Sequence, residues 1–198
     1  MKVQIIERFG DPDVFTLREI PKPKVIPGHV LIRVHATSIN PIDIKMRQGL
    51  VPHITPKLPT VLHGDVAGIV EEVGEGVHHL KIGDEVFGCA GGFRHLHGGA
   101  LADYLLADAQ LVVKKPRRLS FHQAAALPLV AITAWEGLSR ANLQPGQKIL
   151  VHGGTGGVGH IVIQLAKIKG AKVYTTVSTE QKAKIAKQLG ADETILYP

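Results

Sequence analysis

At 198 residues, 44% hydrophobic and 20% charged, the chain has the composition of a folded globular protein of one large domain or two modest ones, and intrinsic disorder is excluded. Its one cysteine, Cys89, rules out an internal disulfide framework, a four-cysteine zinc lobe and a zinc site built on two cysteines, and points to a reducing compartment. Lys and Arg exceed Asp and Glu by 23 to 17, but the net +6 is scattered along the chain and the five Phe, three Tyr and one Trp form no stacking pattern with it. A phosphate-bearing small molecule suits this charge better than nucleic acid does.

The start, MKVQIIERFG, reads as a charged amphipathic strand without the apolar stretch of a signal peptide. No apolar run reaches the roughly 18 residues of a membrane span. The expected location is the cytoplasm, with no membrane attachment. From Met1 to about Val113 the apolar runs are short, β-branched and broken by Gly and Pro: VQII, VFTLREI, HVLIRVHATSI, DVAGIVEEVG, DEVFG, LADYLLA and LVV. They predict an all-β unit, a barrel or sandwich. One short helix interrupts it over 41–48, opened by Pro41 and closed by Gly49. Residues 50–59 carry three prolines and predict a loop, as does the glycine-rich stretch 88–99, a candidate rim of a cleft.

After Lys114 helices and strands alternate. Ser120 caps a helix over FHQAAAL, Pro128 opens another through TAWEGLSRA, and PGQ leads into the buried strand KILVHG. The next helix, 157–169, carries Val158, Ile161, Val162, Leu165 and Ile168 as its predicted apolar stripe. Strand AKVYTTV follows, then a helix capped by Ser178 or Thr179 and ended by Gly190, then a last strand, ETILY.

Between KILVHG and the striped helix, Gly154, Gly156 and Gly159 satisfy G-x-G-x-x-G in a strand-turn-helix setting. Glycine allows the turn, a missing Cβ lets the backbone approach a pyrophosphate, and the helix start supplies unpaired N–H groups with a partial positive charge. Thr155, Gly157 and Val158 complete this seat. The following strand ends Thr175-Thr176-Val177-Ser178, without the acid that would hold the ribose hydroxyls of NAD. Ser178 as donor and Lys182 as counter-charge leave room for a 2′-phosphate and favour NADPH. Lys182 reads equally as a solvated helix residue beside Lys184 and Lys187.

With the all-β unit, the segments ATSINPIDIKMRQG, HGDVAGIVEEVGEGV, GGALADYLLADA, ALPLVAITAWEGL and the glycine loop together resemble the zinc-free quinone oxidoreductases, the zeta-crystallin-like branch of the medium-chain dehydrogenases/reductases. The resemblance implies a GroES-like β-barrel over 1–125, followed over 126–198 by a Rossmann-type doubly wound domain. It also implies hydride transfer from NADPH to a quinone or an α,β-unsaturated carbonyl, in a homo-oligomer. The zinc ligands of the family's metal-dependent members fall here on Asn40, Gly64 and near Leu129, which cannot hold zinc, and His63 lies one residue off its place. The expectation is no catalytic metal, with His95 and His97 as loop polar residues.

With the resemblance, Lys45 is expected as donor to the developing oxyanion, Asn40 as orienting the substrate or the nicotinamide ribose, and Asp43, within the catalytic set, as holding the local turn or pairing a basic group. Each has a plainer alternative: a surface lysine for Lys45 and an ordinary N-cap for Asn40. Thr133 matches a place near the nicotinamide but reads also as a helix threonine bonding its own backbone. Tyr197, in the last strand, joins the cofactor set. Some quinone reductases of the branch carry tyrosines where Lys45 and Val51 stand, a departure that favours enone or alkenal reduction.

A full dinucleotide sheet has six strands, and only KILVHG, AKVYTTV and ETILY are present. The expectation is therefore a fragment with an open sheet edge, prone to self-association, that binds the adenosine side of the cofactor and transfers little hydride. A catalytically silent dinucleotide-binding protein is the alternative function.

Overall fold

The computed structural model describes residues 1–197, which divide into two compact units, Met1–Leu129 and Val130 onward. The first unit includes α2 (Phe121–Ala125), which seats Ala124 and Ala125 against Ala67, and ends near Leu129, whose N–H donates to the Asp65 carboxylate. No described helix is long and apolar enough to cross a membrane.

The strand pairings of the first unit are all antiparallel. β1 (Lys2–Ile6) lies between β2 (Phe15–Glu19) and β4 (Thr60–Val61) in a three-stranded sheet. A five-stranded sheet runs β7-β3-β5-β6-β8, from β3 (His29–Thr37), β5 (Asp65–Val73), β6 (Glu85–Cys89), β7 (Tyr104–Asp108) and β8 (Val112–Lys114). Alternating side chains from these strands, among them Val30, Ile32, Val66, Val70, Val86 and Leu105, close one dry core.

Gly88 and Cys89, expected in a loop, belong to β6, where Cys89 pairs with Asp65 and Gly88 with Val66. Local glycine content suggested a loop; sheet pairing at long range overrides it. The loop proper follows, tied back by Gly92 N–H to Gly98 O at 2.7 Å, and His97, Gly98 and Gly99 rim a pocket of about 280 Å³.

α1 (Pro41–Arg47) forms where Pro41 presets the first turn, Asn40 and Asp43 make a capping box, and Gly49 leaves the helix at φ +75°. Met46 faces inward against Ile6, Val14 and Leu62.

The second unit begins in α3 (Pro128–Arg140) and holds a parallel sheet in the order β11-β10-β9, built from β9 (Lys148–Val151), β10 (Lys172–Val177) and β11 (Glu193–Leu196). The last strand stops one residue short of expectation, and Tyr197 follows it, donating its N–H to Val177 O at 3.1 Å. α4 (Gly157–Ile168) and α5 (Glu180–Gln188) pack on the sheet.

The buried face of α4 differs from the predicted stripe. Gly159, Ile163 and Ala166 are the buried residues, Val162 and Leu165 pack partly against the core, and Ile168 is 82% exposed. The helix is apolar around most of its circumference, so side-chain size selected the wrong face. The sheet takes the small residues instead, because Gly159 and Ala166 let the helix approach closely.

Thr179, not Ser178, caps α5, its hydroxyl accepting from Lys182 N–H at 3.2 Å. On β10, Thr175 is fully buried and donates to Val151 O at 2.7 Å, and a Cβ at Gly154 would sit 2.0 Å from its Oγ1. A Cβ at Gly159 would sit 2.2 Å from Gly153 O. Gly154→Ala and Gly159→Ala are each expected to lower stability by about 1–3 kcal/mol through overpacking. Urea unfolding measures this, and a variant as stable as the parent would show the turn to be loose.

Candidate functional site

In the second unit the β9–α4 turn is a shaped backbone surface. Gly153 takes φ +65°, so the left-handed residue lies one position before the fingerprint's first glycine. Its N–H is held by Thr176 Oγ1 at 3.0 Å, and Gly154 N–H by Thr176 O at 3.1 Å. Gly156 N–H turns back onto Gly153 O at 2.8 Å. These bonds fix the turn from below while Gly156, Gly157 and Val158 stay exposed at the start of α4. The first helical N–H groups have no acceptor four residues behind them and face outward, the arrangement that attracts an anion.

At the end of β10, Lys182 Nζ donates to Ser178 Oγ at 3.0 Å, bringing the two expected phosphate-contacting groups together at the surface. No carboxylate stands among Thr175–Ser178. Glu180 stands two residues further on, in the first turn of α5. Asp192 lies at the other end of β10, where it accepts from Val173 N–H at 2.6 Å and from Lys167 Nζ at 2.9 Å, and these contacts hold its carboxyl below the usual range. Tyr197 is 48% exposed beyond β11, and Thr133 lies on an exposed face of α3.

In the first unit, the Asp65 carboxylate, 1% exposed, organises a polar cluster. Oδ2 accepts from Ser38 Oγ at 2.7 Å and from Asn40 Nδ2 at 2.9 Å, and Oδ1 accepts from Leu129 N–H. Asn40 Nδ2 also reaches Ser38 Oγ at 3.1 Å, so its amide hydrogens are spent inside the protein. Asn40 is thus a held group, 6% exposed. The physical reason is the buried anion beside it, which binds any donor in reach.

Asp43 Oδ2 accepts from Asn40 N–H at 2.8 Å, while Oδ1 is buried without a partner. Burial first, and the nearby Asp65 charge next, push its carboxyl up to about 6, against the pull of Asn40. Lys45 lies exposed on another face of α1, with no described side-chain partner. The structure brings Asn40 and Asp43 together and leaves Lys45 apart.

Sequence reasoning missed Asp65, Ser38 and the state of Cys89. A lone acid opening a β-branched strand was the available signal. Burial, then the charge and hydrogen bond of Asp65, push the Cys89 thiol up to about 12, so it is no thiolate nucleophile.

His63 is buried with φ +73°, and burial lowers it to about 4, leaving a neutral ring. The family zinc positions carry Asn40 and Gly64, and a Cβ at Gly64 would meet Phe93 at 2.7 Å and Cys89 Sγ at 2.9 Å. Among the described residues no three His, Cys, Asp or Glu side chains are grouped to hold a metal ion. Asn40 and Gly64 offer no usual zinc-ligating side chain at those two positions.

Two families match in succession: the alcohol dehydrogenase GroES-like domain over residues 26–117, and the zinc-binding dehydrogenase domain over 157–197. The chain belongs to the medium-chain dehydrogenase/reductase superfamily. It is 43% identical to a 2-methylene-furan-3-one reductase of Solanum lycopersicum and 44% identical to an NADPH-dependent alkenal/one oxidoreductase, chloroplastic, of Arabidopsis thaliana; all of the chain is matched in both cases. It spans 52% of the length of each of these relatives.

Among solved structures, an alcohol dehydrogenase superfamily protein from Novosphingobium aromaticivorans matches 99% of the chain and is covered over 58% of its own, with TM-score 0.92 and 42% identity. The quinone oxidoreductase of Coxiella burnetii matches the whole chain and is covered over 62% of its own, with TM-score 0.87 and 40% identity.

Asp43 and His63 oppose each other in their effect on acid stability. An acid raised from 3.8 to about 6 binds its proton more tightly when folded. Its favourable contribution is full below pH 3.8 and is lost as pH rises through 6. His63, lowered from 6.5 to about 4, stabilises the fold above pH 6.5 and loses that contribution as pH falls through 4. The stability of Asp43→Asn relative to the parent is therefore expected to rise by about 2–3 kcal/mol between pH 4 and pH 7. Urea titrations across that range decide it; a difference independent of pH would refute the burial argument.

Proposed function

We propose that this chain carries the nucleotide-binding and catalytic elements of a zinc-independent, NADPH-dependent reductase that delivers hydride to an α,β-unsaturated carbonyl or a quinone. One observation carries the reading: a glycine turn opens α4, and the strand next to it ends in Ser178, bonded to Lys182, with no acid in place. The helix-start N–H groups at the exposed Gly157 and Val158 suit a diphosphate, and the Ser178–Lys182 pair suits the extra phosphate that distinguishes NADPH from NADH. The names of the two plant relatives, one of them NADPH-dependent, support the same class of acceptor.

Hydride addition to an enone leaves negative charge on the carbonyl oxygen, so the reaction needs a donor there. Asn40 has its amide hydrogens bound to Ser38 and Asp65, which makes it a positioning residue in this reading. Lys45, exposed and without a described partner, keeps the donor role. Asp43 fixes the first turn of the helix that bears it. Thr133 and Tyr197 remain cofactor-side candidates. The lone free thiol supports a cytoplasmic setting, and the half-exposed Leu150 on the outer strand β9 supports a homo-oligomer.

Thermal shift should show a larger stabilisation by NADPH than by NADH. Lys182→Ala should weaken NADPH by roughly tenfold or more, the worth of one charged hydrogen bond, and leave NADH unchanged. Equal shifts for the two cofactors would sink the 2′-phosphate assignment.

Followed by loss of NADPH absorbance with a small enone and a quinone, Lys45→Ala is expected to reduce turnover about a hundredfold while NADPH affinity stays. Unchanged turnover would remove Lys45 from the chemistry. Binding of NADPH without turnover on any acceptor would instead favour the silent dinucleotide-binding alternative.

A further inference from the structure

Two histidines far apart in the chain meet in the first unit, and nothing in the reductase reading uses them. His29, at the start of β3, and His97, in the loop after β6, have ring centres 5.0 Å apart and ring planes at 78°. His29 Nδ1 lies 2.9 Å from Pro27 O. A carbonyl oxygen only accepts, so Nδ1 carries the hydrogen and the lone pair of the neutral ring stands on Nε2. His97 is exposed, and neither of its ring nitrogens has a hydrogen-bond partner among the described residues.

Both rings are placed by backbone contacts. The Pro27 carbonyl fixes the His29 tautomer, the device by which metal-bound histidines are commonly oriented. His97 stands between Leu96, whose N–H donates to Phe93 O at 2.9 Å, and Gly98, whose carbonyl accepts from Gly92 N–H at 2.7 Å. Across the sheet His29 pairs with Asp108. Directly opposed residues share a face, so a carboxylate charge stands on the same side and favours a cation.

Zinc bound tetrahedrally to one nitrogen of each of two imidazoles, at about 2.0–2.1 Å, sets the ring centres about 5 Å apart. His29 and His97 have that spacing already. No third His, Cys, Asp or Glu is grouped with them among the described residues, which leaves the remaining positions to water.

We propose that His29 and His97 bind a zinc ion between them, with water completing its coordination. The ion braces the glycine-rich loop against the start of β3. This site is separate from the glycine turn, so the fate of the dinucleotide assignment does not decide it.

The test is a calorimetric titration of the full chain with zinc chloride. The chain has 11 histidines, so the comparison between variants carries the result. His97→Ala, at an exposed loop position, and His29→Gln should each weaken the tightest zinc site tenfold or more, whereas His95→Ala should leave it unchanged. Magnesium chloride, whose ion prefers oxygen ligands, should not compete. Saturating zinc should also raise the thermal midpoint of the parent and of His95→Ala, but not that of His97→Ala.

Unchanged zinc affinity in His97→Ala or in His29→Gln overturns the proposal. So does a tenfold loss in His95→Ala. Absence of any saturable zinc site also overturns it, the two rings then making an edge contact only.

Discussion

The first unit depends on one buried carboxylate. Asp65 opens β5 and takes hydrogen bonds from Ser38, Asn40 and the Leu129 backbone, residues that lie 27, 25 and 64 positions away in the chain. A buried anion without such donors would be expensive. The cost selects a single arrangement in which the loop before α1, the first turn of α1 and the start of α3 all close on the same oxygen atoms. Removing Asp65 would therefore disturb Asn40, and through its backbone N–H the Asp43 cap, before it touched any hydrophobic contact.

The second unit solves a different problem by a different means. Its turn must expose backbone N–H groups yet stay rigid, and it does so by excluding side chains. Gly154 has no room for a Cβ beside Thr175, and Gly159 has none beside Gly153 O. Thr176 then fixes Gly153 and Gly154 through its hydroxyl and carbonyl. Rigidity comes from β10, the neighbouring strand, and the helix contributes the polar end. Ser178 follows the same strand directly, so the candidate surfaces for a diphosphate and for a 2′-phosphate hang from one element.

This difference explains how much was legible in the sequence. The glycine turn, the caps of α1, α2 and α5 and most strands are written in residues within a few positions of one another, where periodicity and spacing are informative. Two readings failed, and one contact went unread, where distant residues decide. Cys89 joins a strand because Asp65 pairs with it across the sheet. The buried face of α4 is chosen by how closely Gly159 and Ala166 let it approach, which a count of large side chains inverts. The Asn40 amide is captured by an acid 25 residues away.

The same long-range packing bears on the metal question. At the second of the family's zinc positions, Gly64 leaves a space that Cys89 Sγ and the Phe93 ring fill, so that even one added carbon would lie within 3 Å of both. A ligand-bearing side chain at 64 and this packing are mutually exclusive, and the thiol that occupies the space is held protonated by its burial and by Asp65. The glycine and the cysteine are two halves of one steric fit. A single substitution at 64 would have to evict the sulfur and the ring together before it could offer a donor atom. Polar organisation through Asp65 is the frame on which Asn40 and the start of α1 are set.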